Sequence, residues 1–89
     1  MNFYYVYVLQ SEKDGQWYTG YSDDLKRRLK EHKAGQCYST KNRRPLKLIY
    51  FEGCLNKDDA IAREKYLKSG MGKRYVRNRV KKYSNEQDF

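Results

Sequence analysis

Eighty-nine residues leave room for one domain, because a second core would put each half below the size at which apolar burial sustains folding, and they exclude a lid domain or a large substrate pocket. Aliphatic side chains are scarce and the net charge is +9, a disorder-like balance, but ten tyrosines and one tryptophan restore apolar area at roughly 150 to 250 Å² per ring. Twenty Lys and Arg against 11 acids make nucleic acid the expected partner, with an ordinary solvated basic surface as the bland alternative; no segment joins a basic face to a strongly apolar one, which argues against a membrane surface.

Phe3 to Leu9 is a run of β-formers, and Asp14-Gly15 is a turn signal before a second aromatic run, Trp17 to Tyr21, so a β-hairpin is expected. A two-residue turn there puts Tyr7 and Tyr18 on one face. It also sets Tyr7 opposite Ser22 and leaves the two tyrosine Cα atoms roughly 13 Å apart, so that the rings flank a site without touching. Ser22 or Asp23 then caps a helix running to about Lys33, closed by Ala34-Gly35. Its apolar stripe, Leu25 and Leu29, also carries Arg28 and His32. A polar, basic loop from Gln36 to Arg44 ends at Pro45, and Leu46 to Glu52 reads as the third strand.

Asn56 caps a second helix, with Asp58 and Asp59 in its first turn and Gly70 as its stop. Its stripe is Ala60, Ile61 and Leu67, which places Glu64 on the core side. Met71-Gly72 reads as a linker to a third helix with Val76, Val80 and Tyr83 as its apolar positions, and residues 84–89 as a frayed polar tail. The order ββαβαα over residues 1–83 describes one α/β domain, a three-stranded sheet with antiparallel pairing flanked by helices. Cys37 and Cys54 show neither a disulfide framework nor metal-ligand spacing, and no signal or membrane segment is evident, so a reduced, cytoplasmic chain is expected.

Arg28 and Glu64 are charges on apolar stripes, and an unpaired buried ion costs several kcal/mol. Either they pair with each other, or they border a cleft, Arg28 for a phosphate and Glu64 for a cation. Asp23, Asp24, Asp58 and Asp59 lie at helix starts, where capping explains them. A lone inward carboxylate argues against a two-metal site and permits one Mg²⁺ or Mn²⁺ on Glu64. His32 could accept a proton or orient a tyrosine, or serve structurally. Tyr7 and Tyr18 either fill the sheet face or act on substrate; a free phenol is ionised only about once in a thousand molecules at pH 7, and Arg28 and the metal could lower its pKa. Lys26, Lys41, Arg43, Arg44, Lys73 and Arg74 are candidate backbone contacts. No helix looks free to read base edges, so weak sequence preference is expected.

Taken together these residues resemble the GIY-YIG endonucleases, in particular small single-domain members similar to the N-terminal nuclease module of the bacterial excinuclease C subunit. Tyr5-Val6-Tyr7 stands for the first motif and Tyr18-Thr19-Gly20 for the second. The segment Asp24 to Leu29 with His32 resembles the arginine helix, Ala62 to Lys65 the glutamate segment, and Ser39-Thr40 through Pro45 the small members. The resemblance implies a DNA-repair-type endonuclease, acting on DNA before RNA, in which Glu64 holds one divalent ion, Arg28 contacts phosphate, and Tyr7 assists water attack with Tyr18 nearby. It implies products with a 5′-phosphate. Tyr5 departs from the motif glycine, and the family's later asparagine has only Asn78 in the corresponding region. Those departures keep a non-catalytic nucleic-acid-binding domain as the alternative, and a module for an acidic protein as a third reading. A homodimer or a partner protein could supply specificity.

Overall fold

The N-terminal run of β-formers becomes a strand that is apolar on both faces because it lies in the middle of the sheet. A computed structural model, which describes residues 2–87, places β1 (Tyr4–Ser11) between β2 (Trp17–Ser22) and β3 (Leu46–Cys54), antiparallel to both. Val6 and Val8 point to one side, Tyr7 and Leu9 to the other, and all four are buried. Ile49 is the extra residue of a bulge, since Val8 pairs with Tyr50 and Leu9 with Leu48.

The hairpin register differs from the expectation by two residues. Tyr7 stands opposite Gly20 and Leu9 opposite Tyr18. The turn is longer than two residues: Ser11 N–H bonds Gln16 O at 2.9 Å, Gly15 N–H bonds Ser11 O at 2.8 Å, and Gly15 takes a φ of +75°. The Ser11 hydroxyl and the Asp14 carboxylate accept from loop amides and hold this wider loop closed. A shift of two residues preserves the faces, so Tyr7 and Tyr18 still share one, now as diagonal neighbours.

Helix α1 (Leu25–Lys33) is capped by Asp24 rather than Ser22 or Asp23; the Asp24 carboxylate accepts from Arg27 N–H at 3.0 Å, and Ser22 Oγ accepts from Asp24 N–H. Gly35, at φ +77°, turns the chain beyond it. Helix α2 (Lys57–Lys68) starts at Asn56 as expected, the Asn56 side chain accepting from the amides of Asp58 and Asp59. Ala60 and Leu67 are its buried positions, while Ile61 is exposed, so the inner line runs through 60, 63, 64 and 67.

Met71-Gly72 is not a linker. Ser69 both ends α2 and caps α3 (Gly70–Arg79), its Oγ accepting from Gly72 N–H at 3.1 Å. Gly72 is buried where α3 crosses the end of α2, and a Cβ there would collide with the backbone of Tyr66 and Leu67. Val76 and Val80 are buried as expected. The last expected helix is divided at Val80: α4 (Lys81–Gln87) follows, so residues 84–87 are helical rather than a frayed tail, and residues 88 and 89 lie outside those described.

The core of Val6, Val8, Ala60, Leu67, Val76 and Val80 lies between the sheet and α2–α3. Alternation along β1 puts Tyr7 on the opposite face, under α1. A pair that spacing did not reveal ties β3 to α2: Arg63 Nε bonds Glu52 Oε1 at 2.6 Å and Nη2 bonds Oε2 at 3.0 Å, with Tyr50 O–H donating to the same carboxylate.

Candidate active site

On the α1 face the sheet presents Tyr7 from β1 and Tyr18 from β2, and α1 lays His32 across both. The ring centroids stand 6.4 Å apart for Tyr7 and Tyr18, 5.6 Å for Tyr7 and His32, and 5.3 Å for Tyr18 and His32. The expectation that the tyrosine rings flank a site without touching therefore gives way to a packed three-ring cluster. Gly20, opposite Tyr7, is what lets the phenol lie flat over β2, since a Cβ there would come within 2.6 Å of the Tyr7 hydroxyl.

The cluster contains a buried chain of hydrogen bonds. Tyr7 Oη and His32 Nε2 are 2.8 Å apart, and His32 Nδ1 and Thr40 Oγ1 are 2.7 Å apart. Tyr7, His32 and Thr40 are each at most 1% exposed, so the chain is sealed from water on its protein side. Thr40, in the loop after α1, is the member that sequence reasoning did not single out. Burial, and then the nearby Arg28 cation, push the His32 pKa below its ordinary value, so the imidazole is neutral. One ring nitrogen therefore donates and the other accepts. Burial also pushes the Tyr7 phenol up to about 12; Arg28 opposes that rise without reversing it, contrary to the expectation of a lowered value.

Arg28 stands beside Tyr7 on α1, half-buried, with Nη1 donating to Glu31 Oε1 at 3.0 Å. Glu64 does not pair with it, so the buried Arg28–Glu64 bridge is not formed. Glu64 lies on the α2 line that carries Ala60 and Leu67, on the other side of the sheet from Tyr7, and its exposed neighbour Lys68 reaches it at 3.5 Å. α2 packs on β1 and on the edge strand β2, the strand that carries Tyr18. Tyr18 itself is half-buried and, among the described residues, its hydroxyl has no hydrogen-bond partner.

The candidate nucleic-acid contacts do not form one surface. Lys26 borders an apolar cleft of about 450 Å³ with Tyr5, Leu25, Leu29 and Phe51. Lys41 and Arg44 line a second cavity near the hairpin loop, and Lys73 a third with Trp17 and Arg77. Arg43 is tied into the fold, its guanidinium donating to Trp17 O and its carbonyl accepting from Ser11 Oγ. Arg74 is exposed on α3, as is Asn78.

Among the described residues no three His, Cys, Asp or Glu side chains converge, so a divalent ion would find at most two such protein donors in one place. A donor set of that size suits Mg²⁺, which binds through one or two carboxylates and completes its shell with water and phosphate oxygens. No helix among the described residues is long and apolar enough to cross a membrane, and both cysteines are free.

A family model, the GIY-YIG catalytic domain, matches residues 3–77. A UPF0213 protein of Streptococcus pneumoniae serotype 4 is 43% identical over 65 residues, 72% of this chain and slightly under two thirds (65%) of that one. A UPF0213 protein of Haloquadratum walsbyi is 34% identical over 86 residues, 96% of this chain and 90% of its own length. The solution NMR structure of a UPF0213 protein from Bacillus halodurans is 37% identical, with 85% of this chain and 82% of that one covered and a TM-score of 0.52.

Proposed function

We propose that this chain, which belongs to the GIY-YIG family, is a metal-dependent endonuclease that hydrolyses phosphodiester bonds in DNA, with weak sequence preference. The observation that carries the reading is the buried Thr40–His32–Tyr7 chain beside the Arg28 guanidinium, in a protein of net charge +9. It supplies a proton path next to a group suited to phosphate.

Of the two arrangements of protons that satisfy both bonds, only one lets Tyr7 act in catalysis. In it Nδ1–H donates to Thr40 and the Tyr7 hydroxyl donates to Nε2. Tyr7 then accepts a proton from the attacking water as it passes its own to His32, and no free phenolate is required. A phenol held at about 12 would supply almost none at pH 7. In that arrangement Thr40 accepts from Nδ1–H and orients the imidazole, as an outer partner orients a general base.

Arg28 is the phosphate ligand in this scheme. Engaging a phosphate draws it from Glu31, which opens space beside the Tyr7 hydroxyl. The half-buried Tyr18 hydroxyl, unpartnered among the described residues, would contact substrate directly. Glu64 would hold one divalent ion, with Mg²⁺ the expected species. That ion, when bound, supplies charge stabilisation at the phosphoryl oxygens. Because Glu64 and Tyr7 occupy opposite faces, the scissile phosphate is read as lying across the β2 edge. As the family resemblance implies, hydrolysis would leave a 5′-phosphate.

The test is incubation of end-labelled DNA and RNA of one sequence with Mg²⁺, followed by phosphatase treatment of the products. DNA cut at many positions, with phosphatase-sensitive 5′ ends, is expected; binding without cutting favours the non-catalytic alternative.

A further inference from the structure

We infer that a second phosphate site, separate from the Tyr7–His32 centre, is built between the hairpin loop, the end of α1 and the turn before β3, and that it holds the backbone of the bound strand beyond the scissile bond. The inference rests on the nucleic-acid part of the function proposed above. A cavity of about 560 Å³ is lined there by Lys13, Lys33, Lys41, Asn42, Arg44, Pro45 and Leu46, with no acidic side chain among them.

An ordinary solvated basic face scatters its cations and neutralises many of them with nearby carboxylates. Here four cations arrive from three separate segments. Among the described residues none of Lys13, Lys33, Lys41 and Arg44 forms an ion pair with a carboxylate, whereas Lys47, close by in sequence, and Lys68 on α2 do so. Backbone carbonyls position two of them instead, and Lys41 Nζ lies 4.9 Å from the centre of the Tyr38 ring. Arg44 Nε donates to Lys41 O at 3.0 Å and Nη1 to Lys33 O at 3.2 Å, and Lys13 Nζ reaches Asn42 O at 3.4 Å. Carbonyl dipoles fix a guanidinium without cancelling its charge, so the remaining N–H groups stay available to an anion.

Gly35 takes part in the construction. Besides its left-handed φ of +77°, a Cβ there would come within 2.7 Å of the Arg44 guanidinium, so the absence of a side chain lets Arg44 seat against the end of α1. The site also adjoins the proton path. Lys33 follows His32 and Lys41 follows Thr40, so two of the cavity's cations sit one residue, about 3.8 Å along the backbone, from two of the three residues of the buried chain. A strand whose phosphate occupies the cavity is thereby registered against the catalytic cluster.

The experiment measures binding of a fluorescein-labelled DNA duplex by anisotropy, without divalent metal, over a range of KCl concentrations. Each phosphate contact contributes about 0.9 to the slope of log K against log salt. Lys33→Gln/Lys41→Gln is expected to lower the slope by about 2 units, while Lys57→Gln/Lys65→Gln, the same charge change on exposed positions of α2, lowers it by less than about 0.5. Arg44 is left in place because it also caps the end of α1. In cleavage with Mg²⁺ the first variant is expected to raise KM with kcat within about twofold of wild type. Equal slopes for the two variants would overturn the site. A wild type that binds with the expected variant slopes but does not cut removes the catalytic reading and leaves this site standing; a wild type that binds no DNA removes both.

Discussion

Replacing Thr40 with valine removes a single hydroxyl from the buried chain while keeping the side chain's shape. Thr40 is fully buried and its Oγ1 lies 2.7 Å from His32 Nδ1, so the substitution leaves a ring nitrogen in the interior without a partner. Loss of one partner of a buried hydrogen bond costs about 1–3 kcal/mol. For a domain of this size that lowers Tm by roughly 4–24 °C, at about 4–8 °C per kcal/mol. Thermal unfolding followed by circular dichroism reads the loss. The same change removes the acceptor of Nδ1–H and so disfavours the active tautomer against the one in which Nε2–H faces Tyr7 and cannot take its proton. Cleavage is therefore expected to fall in kcat by more than about tenfold with little change in KM, and Thr40→Ser to retain both stability and rate. Unchanged Tm and kcat in the valine variant, or an equal loss in the serine variant, would refute the assignment of Thr40 as the residue that orients His32 for proton transfer.

Arg28→Lys keeps the charge beside Tyr7 but loses the planar fork, and kcat is expected to fall about 10²-fold in single-turnover cleavage. Gly72→Ala forces a methyl group into the Tyr66 and Leu67 backbone, which cannot give way as a side chain would; urea unfolding is expected to show a loss of about 1–3 kcal/mol or more. The two buried titrating groups make stability pH-dependent at both ends. Tyr7 keeps its proton to about 12 in the folded chain while the unfolded chain releases it near 10, so stability falls as pH rises between those values, by up to about 3 kcal/mol, and Tyr7→Phe removes that component. His32 is held neutral, so the unfolded chain binds its proton first and stability falls as pH drops below about 6.5; denaturant midpoints across pH measure both limbs.

The shared face of Tyr7 and Tyr18 was legible because side chains alternate with a period of two, and a register error of two residues leaves that parity intact. The register itself was not legible, since it depends on how the Ser11 hydroxyl and the Asp14 carboxylate bond the loop amides. Arg28 and His32 could be read from their place on the α1 stripe, and the structure brings both to Tyr7. Thr40 could not, because a loop has no periodicity to show which of its hydroxyls turns inward. The Glu52–Arg63 pair escaped for a related reason: it joins a strand to a helix, and helical spacing tests only partners on the same element. Gly72 was misread because the sequence does not distinguish a glycine that ends a helix from one that lets two helices touch. What lifts the tyrosines above core filling is the family motif, Tyr5-Val6-Tyr7 with Tyr18-Thr19-Gly20, in a match spanning residues 3–77.

Nicking of supercoiled plasmid in Mg²⁺ tests the central claim most directly, with wild type, Glu64→Ala and Tyr7→Phe compared at equal folded concentration. Wild type is expected to convert the supercoiled form to open circles, and both variants to do so at least about a hundredfold more slowly. Intact plasmid with wild type, or nicking by Glu64→Ala at the wild-type rate, would contradict the account.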